Sequence, residues 1–313
     1  MSRLAAGAVA VGIALYGCAP EIEVPSTASE RASPQATGAL VFGSVSANAG
    51  GEHEIFEPFA DYVVSMMSDV GIGRARVIVA ESLNAMVDRL RDGTVDVFID
   101  SPFPVVYVSK SAPIEVVMRR WKRGVDMYSG VVFCRADSGA ESLEDLRGRM
   151  IAFGSSYSTS SYLMPKSEMA SRGLDLEHYQ DAAATVPADR IGYVFSNDAE
   201  STMLWVLKGK VQAGAVNKDY FADLAGVRRD ELRVLYTTGE MPRNLVCVRA
   251  GLEDTVKERL QAVLLELDET ERGREILRDF EETLKFERFS GASESAMDTI
   301  SRLLPYVEED LGQ

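Results

Sequence analysis

A chain of 313 residues with 46% hydrophobic and 26% charged side chains is long enough for two packed lobes, and its composition excludes a disordered or fibrous protein. The formal charge of −15 excludes the basic footprint that a nucleic-acid backbone requires. A small anion stays open, because backbone N–H groups and hydroxyls bind anions inside acidic proteins.

The chain opens with one positive charge at Arg3, an apolar run from Leu4 to Tyr16, then Gly17 and Cys18. Residues 1–17 have the layout of a secretory signal, too short for a comfortable bilayer span. Leu15-Tyr16-Gly17-Cys18 resembles the bacterial lipoprotein cleavage box. That resemblance implies lipidation at Cys18 and an extracytoplasmic, periplasmic protein held on a bacterial membrane through the lipid alone. An ordinary signal peptide with an incidental cysteine is the alternative. Residues 18–38 are rich in Pro, Ser, Ala and Thr, have no apolar face and read as a flexible tether.

LVFGSVS (40–46) reads as a strand that enters a loop at Ser46, and EIFEPFADYVVSMMSDVG has helical spacing. VIVA (77–80) is a buried strand, and ESLNAMVDRLRDG is an amphipathic helix closed by Gly93. VDVFIDSPFP is a short strand that runs into a Pro-rich turn at Asp100 and Ser101. Alternating strands and helices predict an α/β protein with mostly parallel sheets flanked by helices. In such sheets ligands sit beyond the carboxyl ends of strands, which marks Ser46, Asp100 and Ser101.

A second cycle starts after SGVVFCRADSG. SLEDLRG is a short helix with Ser142 and Asp145 at capping spacing, and RMIAF is a strand. The serine-rich stretch FGSSYSTSSYLMP follows, leading into a helix over about 160–172 that stops at Gly173. DRIGYVFSNDAESTMLWVLKGK reads as a strand, a loop and an amphipathic helix, VQAGAVN is the next strand, and ELRVLYTTGEMP and NLVCVRAGL complete the unit. From Glu253 to Leu284, and again from about Ala296 to Leu304, the chain reads as helix with charged faces. Residues 39–132 and 247–313 are expected to form lobe 1 and residues 133–246 lobe 2, joined by a two-strand hinge.

These pieces together resemble the periplasmic phosphonate/phosphate/phosphite-binding proteins of ABC importers, a branch of the type II solute-binding proteins with two lobes. The resemblance covers about residues 40–305. Its most specific part is Phe153, four residues, then Ser158-Thr159-Ser160-Ser161, with Pro165 at the family's spacing. VDVFIDSPFP, YSGVVFCRADSGAESLEDLRGRMIAF, FSNDAESTMLWVLKGKVQAGAVN and EMPRNLVCVRAGL follow the family's order. The resemblance implies that Ser158, Thr159 and Ser160, with the N–H groups of the helix start, hold the oxyanion head of a ligand. Unpaired N–H groups and the helix dipole agree with that role. A polar loop in which Ser158 only caps the helix is the alternative.

This sequence departs from the family at three places. Ser161 replaces a glycine and is expected to lie already within the helix. Asn197 stands where the family carries histidine, keeping one amide donor and losing the charge. Asp100 is a poor neighbour for a dianion, and would either meet an amine on the ligand or cap a turn. Tyr128 and Tyr107 are candidate cleft aromatics, with packing near the hinge as the alternative, and the resemblance makes Asn217 and Asp219 further candidates. The basic run Arg119, Arg120, Lys122, Arg123 around Trp121 either faces the cleft or is a solvated segment with one buried tryptophan. Cys134 and Cys247 fall on the two crossing strands, where a disulfide is an open expectation, with two buried thiols as the alternative. His53 and His178 lack metal-ligand spacing and are expected at the surface.

The resemblance implies capture of a phosphorus oxyanion and delivery to an ABC permease and ATPase complex, with no cofactor and no metal. A ligand-sensing lipoprotein of the same fold, or one for a different solute, is the alternative. Neither a GxSxG elbow nor a phosphate-binding GxxxxGK[ST] loop is present, so no enzymatic activity is expected.

Overall fold

A computed structural model describes residues 36–46 and 48–307. The expected signal, Cys18 and most of the expected tether lie outside these residues. The first lobe begins with β1 (Gly38–Val45), α1 (Ala49–Ser65), β2 (Ile72–Ala80), α2 (Leu83–Arg91), β3 (Val97–Asp100), α3 (Pro102–Ser109) and β4 (Ile114–Arg120). The chain crosses at β5 (Met127–Tyr128). The second lobe contains β6 (Gly130–Arg135), β7 (Met150–Phe153), α4 (Met164–Ser171), β8 (Leu176–His178), β9 (Ile191–Phe195), α5 (Ala199–Leu207), β10 (Ala213–Asn217), α6 (Lys218–Ala225) and β11 (Leu232–Thr237). It returns through β12 (Met241–Pro242) to β13 (Asn244–Arg249), α7 (Asp254–Glu266), α8 (Glu271–Asp279), β14 (Phe286–Arg288) and α9 (Gly291–Leu303).

Each lobe is built on a six-stranded sheet, in the orders β14-β4-β13-β3-β1-β2 and β11-β6-β10-β7-β9-β8. The strands β2, β1 and β3 run parallel, as do β10, β7, β9 and β8; β13 and β6 run antiparallel to their neighbours in these sets. β1 is buried from Leu40 onward because apolar layers cover both its faces. The crossing strands β5 and β12 pair only with each other, Met241 with Tyr128 and Pro242 with Met127. This short ladder is the two-strand hinge.

The expected boundaries at 132/133 and 246/247 cut through β6 and β13, yet every residue of β6 pairs in the second sheet and every residue of β13 in the first. The crossings therefore lie a few residues earlier on each pass. Both expected breaks fall inside apolar runs that lie just beyond the crossings. α9 and the turn after it also depart from the expected assignment: Ile300 and Leu304 share one apolar cluster with Phe103 of α3 and with Leu163 and Met169 of the second lobe.

Cys134 lies on β6 in one sheet and Cys247 on β13 in the other; both are buried free thiols. The disulfide expectation is thereby corrected. The strands that run side by side across the hinge are β5 and β12, which carry no cysteine. Burial raises both thiols above their ordinary range, with the Asp100 charge adding to the rise at Cys247.

The Pro-rich turn after β3 is instead α3. Pro102 occupies its first position, where the missing N–H costs nothing, and Ser101 is the N-cap. β14 carries too few residues to show a period.

Candidate functional site

A cavity of about 470 Å³ lies between the lobes, and its wall is made largely of helix starts. Ser101 stands at the N-cap position of α3, while the side chains of Ser158, Asp198 and Asn217 cap the helical run Thr159–Ser171, α5 and α6; all four residues line the cavity. Each start leaves N–H groups without an intrahelical partner and carries partial positive charge. Their convergence makes an anion-binding surface in a protein of net charge −15.

The serine-rich stretch is built for close approach. Its first turn, Thr159–Leu163, is a π-turn closed by the Leu163 N–H donating to the Ser158 carbonyl at 3.0 Å. Ser158 Oγ accepts the Ser161 N–H at 3.1 Å, so it caps the helix and keeps its own proton free for another acceptor. Ser161 is helical, as expected for a serine at the family's glycine position. The turn sits directly on two glycines. A Cβ at Gly130 would lie 2.0 Å from the Ser160 carbonyl oxygen, and one at Gly154 would lie 2.3 Å from Ser161 Oγ.

Thr159 is buried and does not line the cavity. Its Oγ1 accepts the Phe103 N–H at 2.9 Å and donates to Ser101 Oγ at 3.1 Å. Ser101 in turn donates to Asp100 Oδ1 through its N–H at 2.6 Å and its hydroxyl at 3.3 Å. Thr159 is therefore the interlobe fastening between β3–α3 and the π-turn. Tyr128 lies against the Ser101 and Thr159 hydroxyls; burial raises its phenol above the ordinary range.

Seven expected site residues meet in the cavity: Asp100, Ser101, Tyr128, Ser158, Ser160, Asn197 and Asn217. Asn197 adopts a left-handed φ of 72°, which asparagine tolerates, and its N–H donates to the Gly154 carbonyl at 3.0 Å. Ser46 and Asp219 are not on the wall. Ser46 Oγ accepts the Asn48 N–H, and the Asp219 N–H donates to Asn217 Oδ1 in the first turn of α6. Tyr107 also points elsewhere, donating to Asn84 Oδ1 at 2.8 Å. His178 is half-buried against Tyr193 rather than at the surface.

The basic run divides. Arg120 is buried, contrary to a solvated segment, and bonds Thr283, the Phe280 carbonyl and Glu281, while Trp121 is the half-buried residue. Arg119 pairs with Glu287, and Arg123 with Asp223 of α6. Lys122 pairs with Glu281 and lines the cavity. Burial would raise Glu281, but Lys122 and Arg120 outweigh it and hold the carboxyl at about 2.

Arg243 and Asn244 come to the wall from the return crossing, and Tyr220 from α6. Arg243 is 4% exposed, stacks over Tyr128 at 4.5 Å and donates through Nε to the Lys122 carbonyl. Its Nη2 and the Nδ2 of Asn217 are buried donors with no partner among the described residues. A buried donor left unmade is costly, so two of them on one cavity wall mark where an acceptor belongs. Sequence reasoning missed Arg243 because Met-Pro-Arg-Asn carries no local sign of which way the arginine turns.

The carboxylates form the other half of the field. Burial raises Asp100 to about 7, Glu52 adds to the rise, and the Ser101 N–H and Lys122 oppose it. Glu52, in the first turn of α1, is itself raised by burial and by Glu281, against a hydrogen bond from Ser44 at 2.7 Å.

Residues 45–296 match the family model described as ABC transporter, phosphonate, periplasmic substrate-binding protein. Among solved structures, XAC2383 from Xanthomonas citri bound to ATP is 26% identical, with a TM-score of 0.80 over 87% of this chain and 98% of that one. PhnD1 from Prochlorococcus marinus in complex with methylphosphonate is 18% identical, TM-score 0.67, over 86% and 98%. A binding protein component of an ABC phosphonate transporter from Pseudomonas aeruginosa is 17% identical, TM-score 0.63, over 88% and 98%. The last two share the fold. With the family model spanning both lobes and the cavity between them, this chain belongs to the periplasmic substrate-binding proteins of ABC phosphonate transporters.

Proposed function

We propose that the chain captures a phosphorus oxyanion (phosphonate, phosphate or phosphite) in the interlobe cavity and delivers it to an ABC permease and its ATPase. The observation that carries this reading is the meeting of four helix starts with two buried, unpartnered donors, Arg243 Nη2 and Asn217 Nδ2, on one wall. Ser158 and Ser160 add hydroxyls, and Asn197 adds an amide. The chain binds and releases, and performs no chemistry on its ligand. Cys18 carries the lipid that holds it at the membrane, and mass spectrometry of the N-terminal peptide tests that assignment.

Isothermal titration with phosphate, phosphite and methylphosphonate tests the ligand class. Saturable binding by at least one of them supports it, and no heat from any of them overturns it. A second reading concerns the rest of the ligand. A cavity of about 470 Å³ holds more than a bare head group, and XAC2383 is described bound to ATP. A phosphate ester with a large substituent belongs in the same titration, and tighter binding of ATP than of phosphate supports it.

A further inference from the structure

Asp100 stands on the cavity wall at the end of β3, where the oxyanion reading places a negative head group. An ionised carboxylate only accepts hydrogen bonds, and so does a fully ionised phosphoryl oxygen. Two acceptors facing each other repel unless a proton lies between them. Asp100 has no ion-pair partner among the described residues to turn it aside. Its Oδ1 is occupied by the N–H and hydroxyl of Ser101, and Oδ2 makes no hydrogen bond among the described residues.

The donors nearby do not resolve this conflict. Thr159 gives its proton to Ser101, and Ser101 gives its proton to Asp100, so both hydroxyls point along the wall rather than into the cavity. The charged and titratable groups around Asp100 are Glu52 from α1, Lys122 from the segment after β4, Tyr128 of β5, Arg243 beside β12 and Cys247 of β13. Lys122 is already paired with Glu281, and Arg243 stacks on Tyr128.

We propose that the oxyanion is bound together with one proton, held between Asp100 and an oxygen of the head group, so that an ionised Asp100 favours oxyanions that carry a proton over those that do not. The inference rests on the oxyanion reading above. The proton comes either with a P–OH ligand or from solvent onto the carboxylate; in both cases one O–H group bridges the two acceptors and no other bond changes. Burial, which already raises Asp100 to about 7, makes that proton accessible near neutral pH. A sulfonate has the shape of a phosphonate and brings no proton, so it binds poorly once Asp100 is ionised.

The test is isothermal titration of the full-length chain with methylphosphonate and methanesulfonate, in two buffers of different ionisation enthalpy, from pH 6 to about 9. For the wild type, proton uptake approaches one per ligand at the alkaline end, and methylphosphonate affinity falls about tenfold per pH unit there. Asp100→Asn can donate to a dianion, so this variant loses the proton uptake and gains about tenfold or more in sulfonate affinity at alkaline pH. Methylphosphonate binding with no proton uptake and no pH dependence in the wild type overturns the inference, whether or not the variant folds. Loss of 2-aminoethylphosphonate affinity alone in Asp100→Asn, at unchanged proton count, also overturns it and makes Asp100 the partner of an amine. Failure of methylphosphonate, phosphate and phosphite to bind at any pH overturns the oxyanion reading itself.

Discussion

Ser160 and Ser158 share a turn but differ in what they already do. Ser158 Oγ is committed as an acceptor to the Ser161 N–H, so its removal costs the cap as well as any ligand contact. Ser160→Ala is the cleaner test. Hydrogen bonds to charged groups contribute about 1.5–3 kcal/mol, so this variant is expected to weaken oxyanion binding by about tenfold or more while leaving the melting temperature nearly unchanged. Titration and a thermal melt of the same sample check both halves.

Asp100 and Glu281 are shifted in opposite directions, and their effects on stability have opposite signs. Asp100 is raised from 3.8 to about 7, so the folded state holds its proton more tightly than the unfolded chain. Its ionisation costs stability as pH rises from about 4 to about 7, and the full cost remains above that. Asp100→Asn keeps an acceptor for Ser101 and is expected to raise the melting temperature by several degrees at pH 8 and hardly at all at pH 4. Glu281, held at about 2, stabilises the fold above its ordinary range near 4.5 and loses that contribution as pH falls towards 2. Both residues are visible in the sequence. Their shifts are not, because each is set by residues far away in the chain.

At the scale of elements, the π-turn against Gly130 and Gly154 fixes where the hydroxyls stand. The two glycines are predicted by this packing to differ. Gly130 faces a backbone carbonyl at 2.0 Å, which moves only if the helix start moves. Gly154 faces the Ser161 hydroxyl at 2.3 Å, which can rotate away. Gly130→Ala is expected to cost about 1–3 kcal/mol and most of the ligand affinity, and Gly154→Ala clearly less on both counts. Denaturant melts and titration of the two variants check the order. The elements themselves were largely legible. The helix start at Ser158 and the stops at Gly93 and Gly173 follow from capping and glycine signals that act within a few residues. α3 was not, because Ser-Pro-Phe-Pro carries turn signals and only the packing of Phe103 and Val106 beneath the second lobe and α9 commits it to helix.

At the scale of the molecule, the lobes are joined by the β5–β12 ladder, the Thr159–Ser101 bond, the apolar cluster that includes α9, and Arg123. Arg123 sits between the lobes: its N–H donates to the Glu281 carbonyl at 3.2 Å, and its guanidinium pairs with Asp223 and stacks 4.6 Å from Tyr220 of α6. Because α6 supplies Tyr220 and Leu224 to the cavity, this pair is a fastener at its edge. Arg123→Ala is expected to change stability by less than about 1 kcal/mol, as exposed pairs do, but to speed ligand release several-fold at low salt. Stopped-flow release at two ionic strengths checks it; a salt-independent change would mean lost stacking rather than lost charge.

The sequence by itself determined the α/β alternation, the serine-rich helix start, seven of the residues that line the cavity and the family. These rest on signals that are local: period, caps, and a motif read along the chain. It did not place the lobe boundaries, because the expected breaks fell inside β6 and β13, apolar runs that each lie wholly beyond a crossing. Only the tertiary structure decided that Arg243 and Asn217, on the cavity wall, carry buried donors without a partner among the described residues, that Thr159 fastens the lobes instead of lining the site, and that Asp100 is pressed towards neutrality. The reason is physical: burial and the distance between charges are properties of residues brought together from separate elements, and no spacing along the chain encodes them.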